Sequence, residues 1–175
     1  RAARAEDLDR HRLRRVPRSG RAAAAEFGLV PAPFLALLFP IMETAFVFFA
    51  GQSLEYAVSQ SGRLIMTGQA DAAGYGQTAF KTAVCSQIVA MFDCQNKLYV
   101  NVQNYSTFAS ASTSAPLQNG QLDTSQMNYQ PGTPGDVVVV SLYYQWPIYI
   151  SLLSNQDGGK RLLVATSAFR NEPFK

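Results

Sequence analysis

From Phe27 to Ala50 the chain reads FGLVPAPFLALLFPIMETAFVFFA, 24 residues carrying a single charge, Glu43. As a helix at ~1.5 Å per residue this run reaches roughly 36 Å, enough to cross the ~30 Å hydrocarbon core of a bilayer. Ala22 to Ala25 prolong the apolar character on the amino-terminal side. A helix buried in a soluble core is ordinarily satisfied by a shorter apolar stretch, so the length favours a membrane span.

The flanks give the span a direction. Residues 1–21 hold eight arginines against Glu6, Asp7 and Asp9, a net +5, whereas the whole chain is only +3, so the rest sums to −2. Basic residues directly before a span hold that end in the cytoplasm, which predicts an extracytoplasmic location for everything after Ala50. Clustered arginine is also the footprint of a nucleic-acid tail. Beside a span, orientation and anionic lipid explain it, and no nucleic-acid partner is expected. A secretory signal peptide shares the basic-then-apolar order. Here the run is too long, and Phe48 and Phe49 crowd the exit before Ala50, so an uncleaved anchor fits better. Opening on Arg1 rather than methionine, the sequence reads as a fragment or trimmed product.

Pro31, Pro33 and Pro40 are unusual in a straight helix, although membrane helices tolerate proline where neighbours satisfy the freed carbonyls. Two carboxylates, Glu26 and Glu43, are stranger, because a charge at the bilayer centre costs about 2.5 to 3.5 kcal/mol on insertion scales. Either both sit near an interface, protonated or hydrated, or they mark contacts with a partner helix or a neighbouring charge. Seventeen residues apart, they stand about a quarter-turn from one another at ~100° per residue, so one partner need not serve both.

The string SGRAAAAEFGLVPAPFLALLFPIME, Ser19 to Glu43, resembles the amino-terminal signature of the TadE-like family, the minor pilins or pseudopilins of the Tad (Flp) pilus system. The shared elements are the basic Arg14, Arg15 and Arg18, then Gly20, the alanines 22 to 25, Glu26-Phe27, the prolines Pro31 and Pro33, and Glu43. The resemblance covers about a quarter of the chain. It implies cutting by a prepilin peptidase on the cytoplasmic side after Gly20, which leaves Arg21 first, in a bacterial inner-membrane protein with a periplasmic carboxy-terminal domain. Counted from Arg21, Glu26 is the sixth residue, one beyond the family's usual fifth. It further implies that Glu26, with Phe27 and Glu43, serves helix assembly, Glu26 by neutralising a neighbouring subunit's amino group, as opposite charges attract strongly in low dielectric. The implied partners are the lipid bilayer, other pilins or pseudopilins, and the pilus assembly platform.

Beyond the span, Leu54, Ala57, Val58, Leu64 and Ile65 keep near-helical spacing, which predicts that the helix continues as an amphipathic stalk to about Gln69. Gln77 to Phe92 reads as a second helix, with Cys85 inside it and Cys94 just past its end. In an oxidising compartment these two thiols are expected to form a disulfide worth about 2.5 to 3 kcal/mol, the alternatives being two free cysteines or a redox pair. The resemblance points the same way, since TadE-like domains often show a similar paired-cysteine segment. Lys97 to Val102, Gly135 to Ile150 and Lys160 to Phe169 read as strands, and Ser110 to Gly135, rich in small polar residues, as one long surface excursion. Tyr143, Tyr144, Trp146 and Pro147 read as core and sheet edge rather than as a sugar or peptide platform.

The expected architecture is α+β and pilin-like: a basic arm (1–21), a transmembrane helix (22–50), and a stalk helix packed on a small antiparallel sheet (51–175). Catalytic chemistry is poorly supplied. The single histidine is His11, only 15% of residues are charged, and no close carboxylate pair follows the span, so no catalytic residue, metal site or cofactor is predicted. The leading reading is structural and assembly work in a Tad pilus, serving adhesion or secretion. The alternative is an unprocessed single-pass periplasmic adaptor or binding module that never enters a fibre.

Overall fold

The computed structural model describes residues 27–88, 93–149 and 159–173. The chain divides into two compact units between Met42 and Glu43. In the first, the described residues are helical: a turn at Phe27 to Leu29 and then the start of α1 (Pro31–Met66). Pro31 takes the first position of α1 and Pro33 its first turn, where backbone N–H groups have no intrahelical partner, so neither removes a bond. Pro40 lies inside the helix and cannot donate to the carbonyl of Ala36 one turn earlier. Side chains here point outward: Phe27, Leu29, Phe34, Leu37 and Ile41 are each more than half exposed.

The second unit is α+β. Its part of α1 buries one stripe, Glu43, Ala50, Leu54, Ala57, Val58, Ser61, Gly62 and Ile65, at the three- and four-residue intervals of a single helix face. Ser61 is a hydroxyl in that stripe, satisfied by donating to the Ala57 carbonyl at 2.6 Å. At the end of α1, Gly68 N donates to Ile65 O, and Gly68 adopts φ 74°, a left-handed conformation that a side chain would penalise. Glu172 N, near the far end of the chain, donates to Met66 O at 2.9 Å and so satisfies a terminal carbonyl of the helix.

A short α2 (Gln69–Ala72) leads to α3 (Gln77–Ser86), which is shorter than the helix to Phe92 that periodicity predicts. The crosslink explains why. Cys85 and Cys94 form a disulfide with Cα atoms 5.7 Å apart, and Cys94 opens a separate turn, α4 (Cys94–Lys97). Nine residues of unbroken helix would place those Cα atoms about 13 Å apart, beyond any disulfide's reach, so the helix must end between them.

Three antiparallel strands follow in the order β1-β4-β5: β1 (Leu98–Tyr105), β4 (Val137–Pro147) and β5 (Lys160–Arg170). Val100 stands opposite Leu142 in one pair and Leu142 opposite Ala165 in the next, so the alternating apolar positions of all three strands align on one face. That face forms the core with the α1 stripe and with Phe80 and Val84 of α3.

The other face of β1 and β4 is covered as well. Val137, Val139, Ser141 and Tyr143 are buried, which accounts for a near-continuous apolar run from Val137 to Val140 instead of an alternating one. The cover is the segment between β1 and β4, expected as a plain excursion. It pairs with β1, since Val102 N donates to Asn128 O and Gln130 N to Val102 O, while Asn128 N donates to the Asn101 side chain at 2.9 Å. It also carries a two-stranded hairpin, β2 (Leu117–Gln118) and β3 (Gln121–Leu122), turned by Asn119 and Gly120 with φ of 51° and 77°. Positive φ at both central positions is the mark of the tight primed turn that Asn-Gly favours. Tyr143 and Tyr144, 1% and 2% exposed, are core, while Trp146 and Pro147 at the strand end are half-buried.

At Gly62 helix and sheet approach closely, for a Cβ built there would lie 2.9 Å from Phe169 Cε1. Gly62→Ala is expected to destabilise the folded unit by about 1 to 2 kcal/mol, overpacking outweighing the helix propensity gained. The denaturant midpoint checks this, and an unchanged or raised midpoint contradicts it. Replacing both Cys85 and Cys94 by serine is expected to lower stability by about 2.5 to 3 kcal/mol, read from the same unfolding curve.

Candidate functional site

The candidate site, within the second unit, is Glu43, on which that unit begins, with the exposed apolar residues that follow it on α1. Among the described residues one helix, Phe27–Met66, is long and apolar enough to cross a membrane by length and composition. Its exposed apolar surface continues past Glu43, with Phe46, Phe48 and Phe49 at 45%, 71% and 45% exposure, and gives way to Gln52, Ser53 and Glu55. A contiguous apolar surface of this kind requires an apolar cover, because each Å² left in water costs about 25 cal/mol.

Within the second unit Glu43 does not face outward. It is 8% exposed, and its Oε1 accepts a hydrogen bond from Tyr149 N at 2.7 Å, across 106 residues of sequence. The fold delivers that donor in a specific way. β4 runs to Pro147, and the next residue keeps its register with β5, Ile148 N donating to Gly159 O at 2.8 Å. That bond holds the ends of β4 and β5 together while the backbone of Tyr149 meets α1. A buried carboxyl is costly unless hydrogen-bonded, so the contact explains how Glu43 is accommodated beside apolar helix surface.

The positions singled out from sequence separate clearly. Glu43 is engaged by its own chain's backbone, and Phe27 is 78% exposed. Gly20, Arg21 and Glu26 lie outside the described residues. Cys85 and Cys94 are bonded to each other, tie α3 to α4, and pack with the core. Sequence reasoning passed over Tyr149, Lys160 and Arg161, which the strand ends bring to the level of Glu43. The available signal was the aromatic string YYQWPIY, since tyrosine and tryptophan concentrate where membrane meets water.

Elsewhere, a polar hollow of about 270 Å³ lies between the sheet and its covering segment, lined by amide and hydroxyl groups of Asn101, Gln103, Ser141 and Tyr143 among others. Asp136 anchors that segment: Thr133 N and then the Thr133 hydroxyl donate to it, with Asn104 adding a third bond, and these hold its carboxyl below the ordinary carboxylate range.

Glu43→Ala removes the acceptor for Tyr149 N and is expected to destabilise the folded unit by about 1 to 3 kcal/mol. Glu43→Gln keeps a carbonyl oxygen in that place and is expected to retain most of the stability. Unfolding of detergent-solubilised protein, followed by Trp146 fluorescence, separates the two variants; equal losses would show that the hydrogen bond contributes nothing.

No match to this chain is found among curated proteins or among solved structures. One protein-family model does match, over residues 22–63, and its description is TadE-like protein. The matched residues include Glu26, the exposed apolar surface, Glu43 and most of the buried stripe of α1. Over that segment the chain is similar to the TadE-like family.

Proposed function

We propose that this protein is a membrane-anchored minor pilin or pseudopilin acting in the assembly of a Tad (Flp) type pilus. The observation that carries the reading is the coincidence of the TadE-like match, residues 22–63, with a helix apolar enough to cross a bilayer. The proposed placement is the bacterial inner membrane, with the arginine-rich arm in the cytoplasm and residues from the outer end of the span onward in the periplasm. Helix association in lipid relies on close packing and polar contacts, and Ala22 to Ala25 with Glu26 are suited to it. The role is structural, contributing to adhesion or secretion through the fibre.

The test is the amino terminus and mass of the protein taken from membranes of cells with and without the cognate prepilin peptidase, scored beside surface pili in a strain lacking the protein. Peptidase-dependent loss of residues through Gly20 or Arg21, with pili restored by the wild type and not by Glu26→Ala, is the expected result. An intact basic arm in both cells, with pili unaffected, would overturn it in favour of an unprocessed membrane-anchored adaptor.

A further inference from the structure

We propose that the end of the sheet beside Glu43 is a binding surface for anionic phospholipid, on which the folded unit rests directly against the bilayer instead of standing clear of it on a stalk. The inference rests on the membrane-anchor reading and adds a second, separate contact to it.

Depth comes first. A span needs about 20 apolar residues, and the 21 residues from Ala22 to Met42 provide 20, Glu26 being the exception, so its outer boundary falls at about Glu43. The exposed Phe46, Phe48 and Phe49 carry the apolar surface further still. Whatever is bonded to Glu43 therefore lies at or below the headgroup level. Tyr149 is so bonded, through its backbone N–H, while its side chain remains 80% exposed.

Chemistry comes second. Strand register sets Lys160 opposite Pro147 and Arg161 opposite Trp146, and both cations are exposed. The same end of the sheet thus presents an exposed tyrosine, a half-buried tryptophan and two cations, next to apolar helix surface. Amphipathic rings settle at the headgroup layer, and lysine and arginine beside it attract anionic lipid. A site for a soluble anion would need the cations alone. The aromatic and apolar neighbours select a lipid surface.

Trp146 is the sole tryptophan of the chain, so its fluorescence reports this surface without labelling. The full chain is reconstituted into phosphatidylcholine vesicles with and without phosphatidylglycerol, each prepared also with acyl chains brominated near the headgroup. Flotation in a density gradient first tests the anchor, and a chain that fails to float overturns the anchor and this proposal together. The expected result is flotation with both lipids and quenching of Trp146 by brominated lipid, stronger when phosphatidylglycerol is present. In the Lys160→Gln, Arg161→Gln double variant that extra quenching falls to the phosphatidylcholine level while flotation persists. Because Trp146 is half-buried, the measurement is repeated with Trp146→Phe, Tyr149→Trp, which moves the indole to the exposed position. Flotation without lipid quenching in either protein, or extra quenching that survives loss of both cations, overturns the proposal and leaves the anchor intact.

Discussion

The packing of one stripe of α1 against one face of a three-stranded sheet is the interaction from which the rest of the folded unit follows. Ala50, Leu54, Ala57, Val58 and Ile65 meet Leu98, Val100, Val102, Val138, Val140 and Leu142 in a shared core. Small residues on the helix bring the surfaces close, and at Gly62 the approach leaves no room for a Cβ beside Phe169. Three strands alone would leave an apolar face in water. With α1 on one side and the segment between β1 and β4 on the other, the central strand is buried on both faces, which is why β4 is the most apolar stretch outside the helix.

The same helix answers to two surroundings. Up to Phe49 it exposes large apolar side chains, and from Ala50 to Ile65 it buries a single face against the protein. A helix apolar all round suits lipid, whereas a one-sided stripe suits a protein core. Glu43 stands within the first regime and yet belongs to the second, because the backbone at the end of β4 reaches it and Tyr149 N occupies its Oε1. A carboxylate that looks like a liability in a hydrophobic run is thereby one point at which the carboxy-terminal sheet is tied to the helix.

Element existence was legible in the residues, and element ends were less so. The apolar run announces a helix, the alternation around Leu98, Val100 and Val102 announces a strand, and Pro147 marks where β4 stops. The extent of α3 was not legible, because a disulfide between residues nine apart excludes the continuous helix that periodicity favours. The order within the segment before β4 was hidden too. Its Ser, Thr, Asn and Gln residues carry no hydrophobic period, and they are held by backbone pairing to β1 and by side-chain bonds at Asn101 and Asp136 that no local pattern announces.

Taken by itself, the sequence determined the apolar helix, the α+β class, the placing of two cysteines in one short segment, and the TadE-like signature, since each depends on local composition and spacing. Only the tertiary structure decided that Glu43 is satisfied from within the chain, that Gly62 marks a close contact, and that Tyr149, Lys160 and Arg161 share one end of the sheet. The physical reason is distance along the chain. Strand register and a hydrogen bond across 106 residues arise from the packing of whole elements, and no window of neighbouring residues contains them.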